Sequence, residues 1–430
     1  MKILVVGTGY VGLVTGVCLS DIGHEVTCFD ISSEKIDLLK SGRSPIYEPG
    51  LEQLMEKNVK ANKLFFTSNV QEAYQSVDCI FIAVGTPETR DGSADLTYVE
   101  EVALTIAESI KQDTIVVIKS TVPVGTNDYI ERLINERTGE GIKVHLVSNP
   151  EFLREGSAIK DTFEGSRIVI GSNSQEAGDF IEEIYSPLSI PIVRTDIRSA
   201  EMIKYASNAF LATKISFINE VANLCEKTGA NVEEVAVGMG FDKRIGNQFL
   251  KAGIGFGGSC FPKDTKALIS LANEYDSSSY ILDAVLKVND IQKKRLVEKV
   301  KDYFIDIQGK KAAILGLAFK PNTNDIREAP SLELIDELLS LGTEVHVYDP
   351  IALENVKEIY GDRVYFHHSI DEAIENADMA LLVTEWREVK GFPLKKYKEL
   401  MKRPVVFDGR NVLSPFDAKK EEITYFSIGR

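Results

Sequence analysis

Residues Lys2-Ile-Leu-Val-Val-Gly7-Thr-Gly9-Tyr-Val-Gly12, continued to Glu25-Val-Thr-Cys-Phe-Asp30, decide the fold. A short β-branched run enters a glycine turn. Leu13 to Ile22 then has helix-forming composition up to Gly23, and a second strand closes on an acid. Glycines at GxGxxG spacing between a strand and a helix predict a dinucleotide-binding unit. Gly7 permits the tight turn, Gly9 lets the backbone approach a pyrophosphate, and Gly12 lets helix and strand pack closely. Tyr10 and Val11 belong to the same turn, where the unpaired N–H groups and dipole of a helix start favour an anion. Asp30 lies eighteen residues past Gly12. A carboxylate there accepts ribose hydroxyls and repels a 2′-phosphate, which favours NAD over NADP. Lys35 has two readings, a phosphate ligand or a solvated side chain. Thr86 and Thr121 follow the ends of later strands, where open parallel sheets bind ligands.

The pattern continues outward. Asp78 to Gly85, Thr114 to Lys119, Lys143 to Ser148 and Arg167 to Gly171 are apolar strand candidates, with helical stretches such as Tyr98 to Lys111 between some of them. Apolar strands alternating with helices predict a parallel, doubly wound sheet. From Ser199 to Thr228 there is no proline or glycine, which predicts one long helix that links domains or builds an oligomer interface. At Lys310 the opening pattern returns: a strand ending in Gly316, a helix over Ser331 to Leu341, and a strand ending in Asp349. This second copy lacks the second and third glycines, so it is not expected to bind a dinucleotide. The fold class is therefore α/β: two Rossmann-like, doubly wound parallel-sheet domains joined by a long central helix and a helical region. The expected boundaries are 1–197, 198–300 and 301–430.

A length of 430 residues suits two or three domains. The net charge of −16 argues against nucleic acid and anionic membranes as partners. Five widely spaced cysteines with no CxxC make a disulfide framework or zinc site unexpected, so no metal is assigned and a reducing cytoplasm is the default. The uncharged run Ile3 to Leu19 is too short for a spanning helix and is not read as a signal peptide.

No histidine lies between residues 146 and 345, so any chemistry in the middle of the chain falls to carboxylate, lysine or cysteine. Gly253-Ile-Gly-Phe-Gly-Gly-Ser-Cys-Phe-Pro-Lys-Asp264 is the densest segment. Its four glycines are read as letting backbone N–H groups approach a ligand. Cys260 follows them, and Lys263 with a helix start would favour its thiolate; the alternative is a buried inert thiol. Lys204 and Asn208 share one face of the long helix. Lys204 either snorkels to solvent or points into a site. Glu151, after a strand end, is either a general base or a surface acid.

Taken together, GxGxxG at Gly7, STVPVGT at Ser120, NPEFLREG at Asn149, the Lys204 helix, FGGSCFPKD at Phe256 and GLAFKPNTNDIRE at Gly316 resemble the UDP-glucose/GDP-mannose dehydrogenase family over essentially the whole chain. The serine of GGSC and Phe261 look most like the branch that oxidises UDP-glucose. The resemblance implies an enzyme that uses two NAD+ to convert the C6 hydroxymethyl of UDP-glucose to the carboxylate of UDP-glucuronate. It implies that Asp264 and an ordered water take the hydroxyl proton, with a contribution from Lys204. Cys260 forms a thiohemiacetal and then a thioester. Lys204 and Asn208 stabilise the oxyanions, and Glu151 directs water onto the thioester, held in part by Thr121.

The same resemblance implies a UDP-sugar-binding third domain. Contacts with the sugar nucleotide are implied for Glu151, Phe152, Leu153, Arg154 and Glu155. Phe249, Leu250, Lys251, Ala252, Gly253 and Gly257 are implied as a second group. Phe319, Lys320 and Arg410 form a third, joined by Arg244 reaching from a neighbouring subunit. Glu155, Lys263 and Arg327 are implied near NAD. A homodimer or higher homo-oligomer is expected through the long helix. The alternatives are the same chemistry on another nucleotide hexose such as GDP-mannose, or a non-catalytic sensor of NAD or nucleotide sugar.

Overall fold

The computed structural model describes all 430 residues. Strands β1 (Lys2–Val6), β2 (Glu25–Phe29), β3 (Leu64–Thr67), β4 (Cys79–Ile82), β5 (Thr114–Ile118), β6 (Val144–Ser148), β7 (Ile168–Ser172) and β8 (Ile192–Thr195) form one sheet in the order 3-2-1-4-5-6-7-8. Strands β9 (Lys311–Leu315), β10 (Glu344–Tyr348), β11 (Tyr365–His367), β12 (Met379–Leu382), β13 (Val405–Asp408) and β14 (Thr424–Phe426) form a second, in the order 11-10-9-12-13-14. The second sheet is parallel throughout. The first departs from the expected parallel pattern at one joint: β6 and β7 pair antiparallel, with Val147 opposite Ser172. Their connector carries only the short helix Ala158–Phe163, so the chain turns back where a full crossover helix would have kept β7 parallel.

Packing divides the chain into two compact units. One contains Met1–Ser207 and Lys266–Asp276; the other contains Asn208–Thr265 and Ser277–Arg430. In the first, the strands are apolar on both faces for a visible reason. Ile3 and Val5 of β1, with Cys79 and Phe81 of β4, enter one core cluster. Leu4 and Val6, with Ile80 and Ile82, enter another on the opposite face. Two-residue alternation therefore feeds two helical layers, so no polar position is left from Ile3 to Val6 or in β4. The second unit has one large core built around β9, β12 and β13. The long helix runs over Ile197–Thr228, two residues earlier than the Ser199 start read from composition.

The repeat is visible in individual hydrogen bonds. Gly7 N–H donates to Phe29 O at 2.8 Å, and Gly316 N–H donates to Tyr348 O at 2.8 Å. Lys2 N–H donates to Asp78 Oδ2 at 2.7 Å, as Lys311 N–H does to Asp378 Oδ2 at 3.0 Å. The copies part at the glycine turn. In the first, the helix starts at Tyr10, three residues after Gly7; in the second it starts at Pro330, fourteen residues after Gly316. Asp349 is also saturated. It accepts from the N–H groups of Leu317, Ala318, Ile351 and Ala352 and from the Trp386 indole. That carboxylate holds its own backbone and has no capacity left for a ribose.

No helix is long and apolar enough to cross a membrane.

Candidate active site

At the first turn, each glycine of the motif answers a different local demand. Gly7 has φ +100°, and a methyl there would meet the Ala83 carbonyl at 2.6 Å. A methyl on Gly12 would run into the Gly7 carbonyl, whereas one on Gly9 meets nothing within 4 Å. Gly9 is the N-cap of the helix Tyr10–Asp21 and supplies no side-chain cap. The turn thus presents an open helix N-terminus, which suits a diphosphate. The residues present therefore fit a dinucleotide. Asp30 Oδ2 accepts from Thr8 N–H at 2.9 Å and Thr8 Oγ1 at 2.7 Å, and Oδ1 accepts from Ser32 N–H. Burial would raise the Asp30 pKa, but these bonds and Lys35 outweigh it and hold the carboxyl below its usual range. Lys35 Nζ lies 3.8 Å from Asp30 Oδ2, on a side chain that is half exposed. The Tyr10 hydroxyl is tied to Glu48 and to Gly156 N–H, leaving the backbone of Tyr10 and Val11 as the ligand-facing part. Thr86 Oγ1 donates to Thr121 O at 2.8 Å, joining the ends of β4 and β5.

The loop after β6 turns Glu151 inward. Its Oε1 pairs with Lys204 Nζ at 2.9 Å, and the two side chains are 6% and 4% exposed. Its Oε2 accepts from Leu153 N–H. Burial would push the Glu151 pKa up; Lys204, the Leu153 N–H and Lys119 together hold it below the ordinary value. Glu151 is thus no surface acid, and Lys204 does not snorkel. Phe152 lies under the Arg167 guanidinium at 3.6 Å, with Lys204 Nζ 5.4 Å from the ring centre. Arg154 points elsewhere and forms an exposed, bidentate pair with Asp161.

In the second unit, Cys260 immediately precedes the helix Phe261–Glu274, and its carbonyl accepts from Asp264 N–H at 2.8 Å. The other four cysteines are buried, while Cys260 is partly exposed; none of the five is in a disulfide. Asp264 is buried and receives Asn208 Nδ2 on one oxygen and Lys263 Nζ on the other, each at 2.7 Å. Asp264 therefore joins Lys263, its neighbour on the first turn of the cysteine helix, to Asn208 of the long helix.

Each glycine of the run also stands where another part of the protein comes close. A methyl on Gly253 would strike Gly409 O at 2.8 Å, one on Gly255 would strike Asn289 Oδ1 at 2.6 Å, one on Gly257 would strike the Glu328 carbonyl, and one on Gly258 would strike the Phe319 ring at 2.7 Å. The N–H groups of Gly253, Ile254, Phe256 and Gly258 are bonded to Asn219, Gly409, Asn289 and Arg327. At these glycines the space a side chain would need is filled by protein.

The remaining implied residues divide in the same way. Leu250 and Ala252 are part of the core of the second unit, so only their backbone is available to a ligand. Lys251 is exposed, and Phe249, at φ +63°, packs against Phe261. Arg410 donates to Val383 O and to Gly255 O, each at 2.8 Å, bracing the glycine segment. Lys320 Nζ lies 5.2 Å from the Phe319 ring centre. Arg327 pairs with Asp325, and Arg244 pairs with Asp242 on an exposed turn. Glu155 acts electrostatically on Tyr10.

Sequence reasoning passed over Lys119, whose ammonium is buried at the end of β5, and the amides Asn219, Asn289 and Gln292 that splint the glycine segment. Lys119 stood in plain view as the polar residue closing an apolar strand. The amides gave no signal beyond being polar positions on amphipathic helices.

Three family models cover the chain. Residues 1–189 match the NAD binding domain of the UDP-glucose/GDP-mannose dehydrogenase family, 198–291 its central domain and 313–415 its UDP binding domain. Among curated proteins, the UDP-glucose 6-dehydrogenase YwqF of Bacillus subtilis is 53% identical over 430 residues, covering 100% of this chain and 98% of the relative. The UDP-glucose 6-dehydrogenase TuaD of the same organism is 49% identical, covering 100% and 93%. Among solved structures, a UDP-glucose dehydrogenase from Pyrobaculum islandicum superposes with a TM-score of 0.92 at 39% identity, covering 99% of this chain and 96% of that one. With a glycine turn open for a dinucleotide and with these matches from end to end, the chain belongs to the UDP-glucose/GDP-mannose dehydrogenase family of NAD-dependent oxidoreductases.

Proposed function

We propose that the chain oxidises C6 of UDP-glucose to the carboxylate of UDP-glucuronate through a covalent bond to Cys260. The observation that carries this reading is Cys260 itself. It is the one partly exposed thiol, seated at the start of a helix whose first turn holds Lys263, Asp264 and Asn208 in a single network. The high identity to relatives named UDP-glucose 6-dehydrogenase supports the choice of sugar nucleotide.

Gly7, Gly9, the Tyr10 and Val11 backbone, Asp30, Thr86 and Thr121 would hold the cofactor. NAD+, when bound, supplies a hydride acceptor, and two equivalents account for four electrons. In the first oxidation a water held by Asp264 takes the C6 hydroxyl proton. The Cys260 thiolate then adds to the aldehyde carbon, and the oxygen gains a proton to give a thiohemiacetal. Tetrahedral carbon is what the second oxidation requires, because an aldehyde carbon gives up hydride only after a nucleophile has added. Loss of the hydride from that carbon to the second acceptor, and of the hydroxyl proton to the water held by Asp264, would give a thioester. Glu151 takes a proton from water as the water attacks that carbonyl, the C–S bond breaks, and the thiol is regenerated. Lys204 and Asn208, one helical turn apart, stabilise the oxyanions formed at both stages. Phe152, the Phe249–Gly253 backbone, Phe319, Lys320 and Arg410 are assigned to the sugar nucleotide.

We assign the dinucleotide to residues 1–197, the helical connector to 198–300 and the sugar nucleotide to 301–430. A homodimer through the long helix is supported by Phe210, Phe217 and Leu224, which are 65%, 51% and 61% exposed at seven-residue spacing on one face. A reducing cytoplasm suits five cysteines with no disulfide among them.

The test is the yield of NADH per sugar. Two NADH per UDP-glucose with a uronate product supports the reading. One NADH per sugar, or turnover with GDP-mannose and not UDP-glucose, would overturn it. A protein that binds both ligands without turnover would be a sensor.

A further inference from the structure

Lys119 has no part in the chemistry described so far, yet it carries a buried charge beside it. Its Nζ donates to Asn149 Oδ1 at 3.0 Å, to Asn149 O at 3.3 Å and to the Tyr185 hydroxyl at 3.4 Å. The cage is itself fixed. Tyr185 OH donates to Asn149 Oδ1 at 2.6 Å, Asn149 Nδ2 donates to Val169 O at 2.8 Å, and Asn149 N–H donates to Ile118 O at 3.0 Å. All three acceptors are neutral oxygens, and Asn149, which supplies two of them, stands two positions before Glu151.

We propose that Lys119 is a positioning residue whose caged charge keeps the Glu151 carboxylate ionised, while Lys204 fixes the direction in which that carboxylate points. This rests on the proposed role of Glu151 in activating water.

The charged surroundings are few. From the loop after β6 comes Glu151, which attracts the ammonium; from the long helix comes Lys204, which repels it. From the helix Gln175–Tyr185 comes only the Tyr185 phenol. The thiols near that phenol, Cys18 and Cys79, are pushed up by burial and stay neutral. Burial lowers the Lys119 pKa to about 8, with Glu151 resisting that change and Lys204 adding to it. At neutral pH the ammonium is therefore charged, and Lys119 is among the groups that hold Glu151 below its usual range. A carboxylate that bonds tightly to one lysine gains orientation but is exposed to protonation whenever that lysine turns to an oxyanion. A second cation that no reaction step displaces removes this weakness.

The experiment compares the pH dependence of kcat/KM for UDP-glucose in the native enzyme, Lys119→Met and Lys119→Arg. Lys119→Met should move the acidic limb upward by about one pH unit, the usual effect of losing a nearby opposite charge. On the acidic limb it should also accumulate a Cys260-bound acyl adduct, read by intact mass. Lys119→Arg should keep the native limb even if kcat falls. If Lys119→Met does not fold, Lys119→Gln, which keeps a donor for Asn149, takes its place. A neutral variant that loses kcat at every pH, with its acidic limb unmoved and no adduct, shows a structural role and overturns the proposal. Absence of turnover in the native enzyme would overturn the proposed function instead, so the two failures are distinct.

Discussion

Lys204 and Glu151 meet at 2.9 Å with both side chains almost completely withdrawn from water. A pair of this kind is demanding, because removing one partner leaves an uncompensated buried charge. Lys204→Ala should therefore destabilise the first unit by about 3–5 kcal/mol and abolish turnover, as read by urea denaturation beside an NADH assay. Glu151→Gln keeps the shape and should leave a folded enzyme that stalls at the thioester. An adduct on Cys260 detectable by mass checks this; a Glu151→Gln enzyme turning over at the native rate would contradict it.

The buried charge on Lys119 makes stability depend on pH in a predictable direction. Its folded pKa of about 8 lies below the ordinary lysine value of about 10.4, so between these two the unfolded chain binds more protons. Stability should then rise with pH across that window, by as much as about 3 kcal/mol from this group alone. The rise should be missing from Lys119→Met, and denaturation curves of the two proteins between pH 7 and 10 measure the difference.

Glycines at the two ends of the chain's chemistry should respond oppositely to alanine. Gly9 has φ −71°, and a methyl on it meets nothing within 4 Å. Gly9→Ala should melt at the native temperature but raise the KM for NAD by about tenfold, because the methyl occupies ligand space. Gly257→Ala drives a methyl into the Glu328 carbonyl and should lower the melting temperature before it changes any ligand constant.

Asp349 accepts five hydrogen bonds inside the second unit. Asp349→Ala leaves four backbone donors and an indole N–H without their acceptor, a loss of more than about 3 kcal/mol. Circular dichroism during thermal melting should show this, while NAD affinity of the folded fraction stays native.

Iodoacetamide at low concentration should label Cys260 first, one group per chain, since Cys18, Cys28, Cys79 and Cys225 are buried. Peptide mapping identifies the site, and bound UDP-glucose should slow the labelling.

Much of this architecture could be read before any coordinates. The β1, β4 and β5 runs are apolar because both faces are covered. Strands β3, β8 and β11 escaped because they are short and lie toward sheet edges, where Phe65, Val193 and Tyr365 face water and break the apolar run. The site was legible as residue types but not as partnerships. Glu151 and Lys204 are 53 positions apart, and Asn208 and Asp264 are 56 apart. Nothing local says that they touch. The glycine run shows the opposite failure. Its composition is conspicuous, but whether ligand or protein fills the space beside each Cα depends on Asn289, Glu328, Phe319 and Gly409, which arrive from elsewhere in the chain.

The fourteen-residue path between Gly316 and Pro330 has a consequence for redesign. Writing the missing glycines back into the second copy would not make it grip a dinucleotide, because no helix amides stand at the turn to receive a diphosphate. Shortening the path to create them would delete Phe319, Lys320 and Arg327. In that half of the molecule, a tight dinucleotide turn and the side chains now displayed there are mutually exclusive uses of the same length of chain.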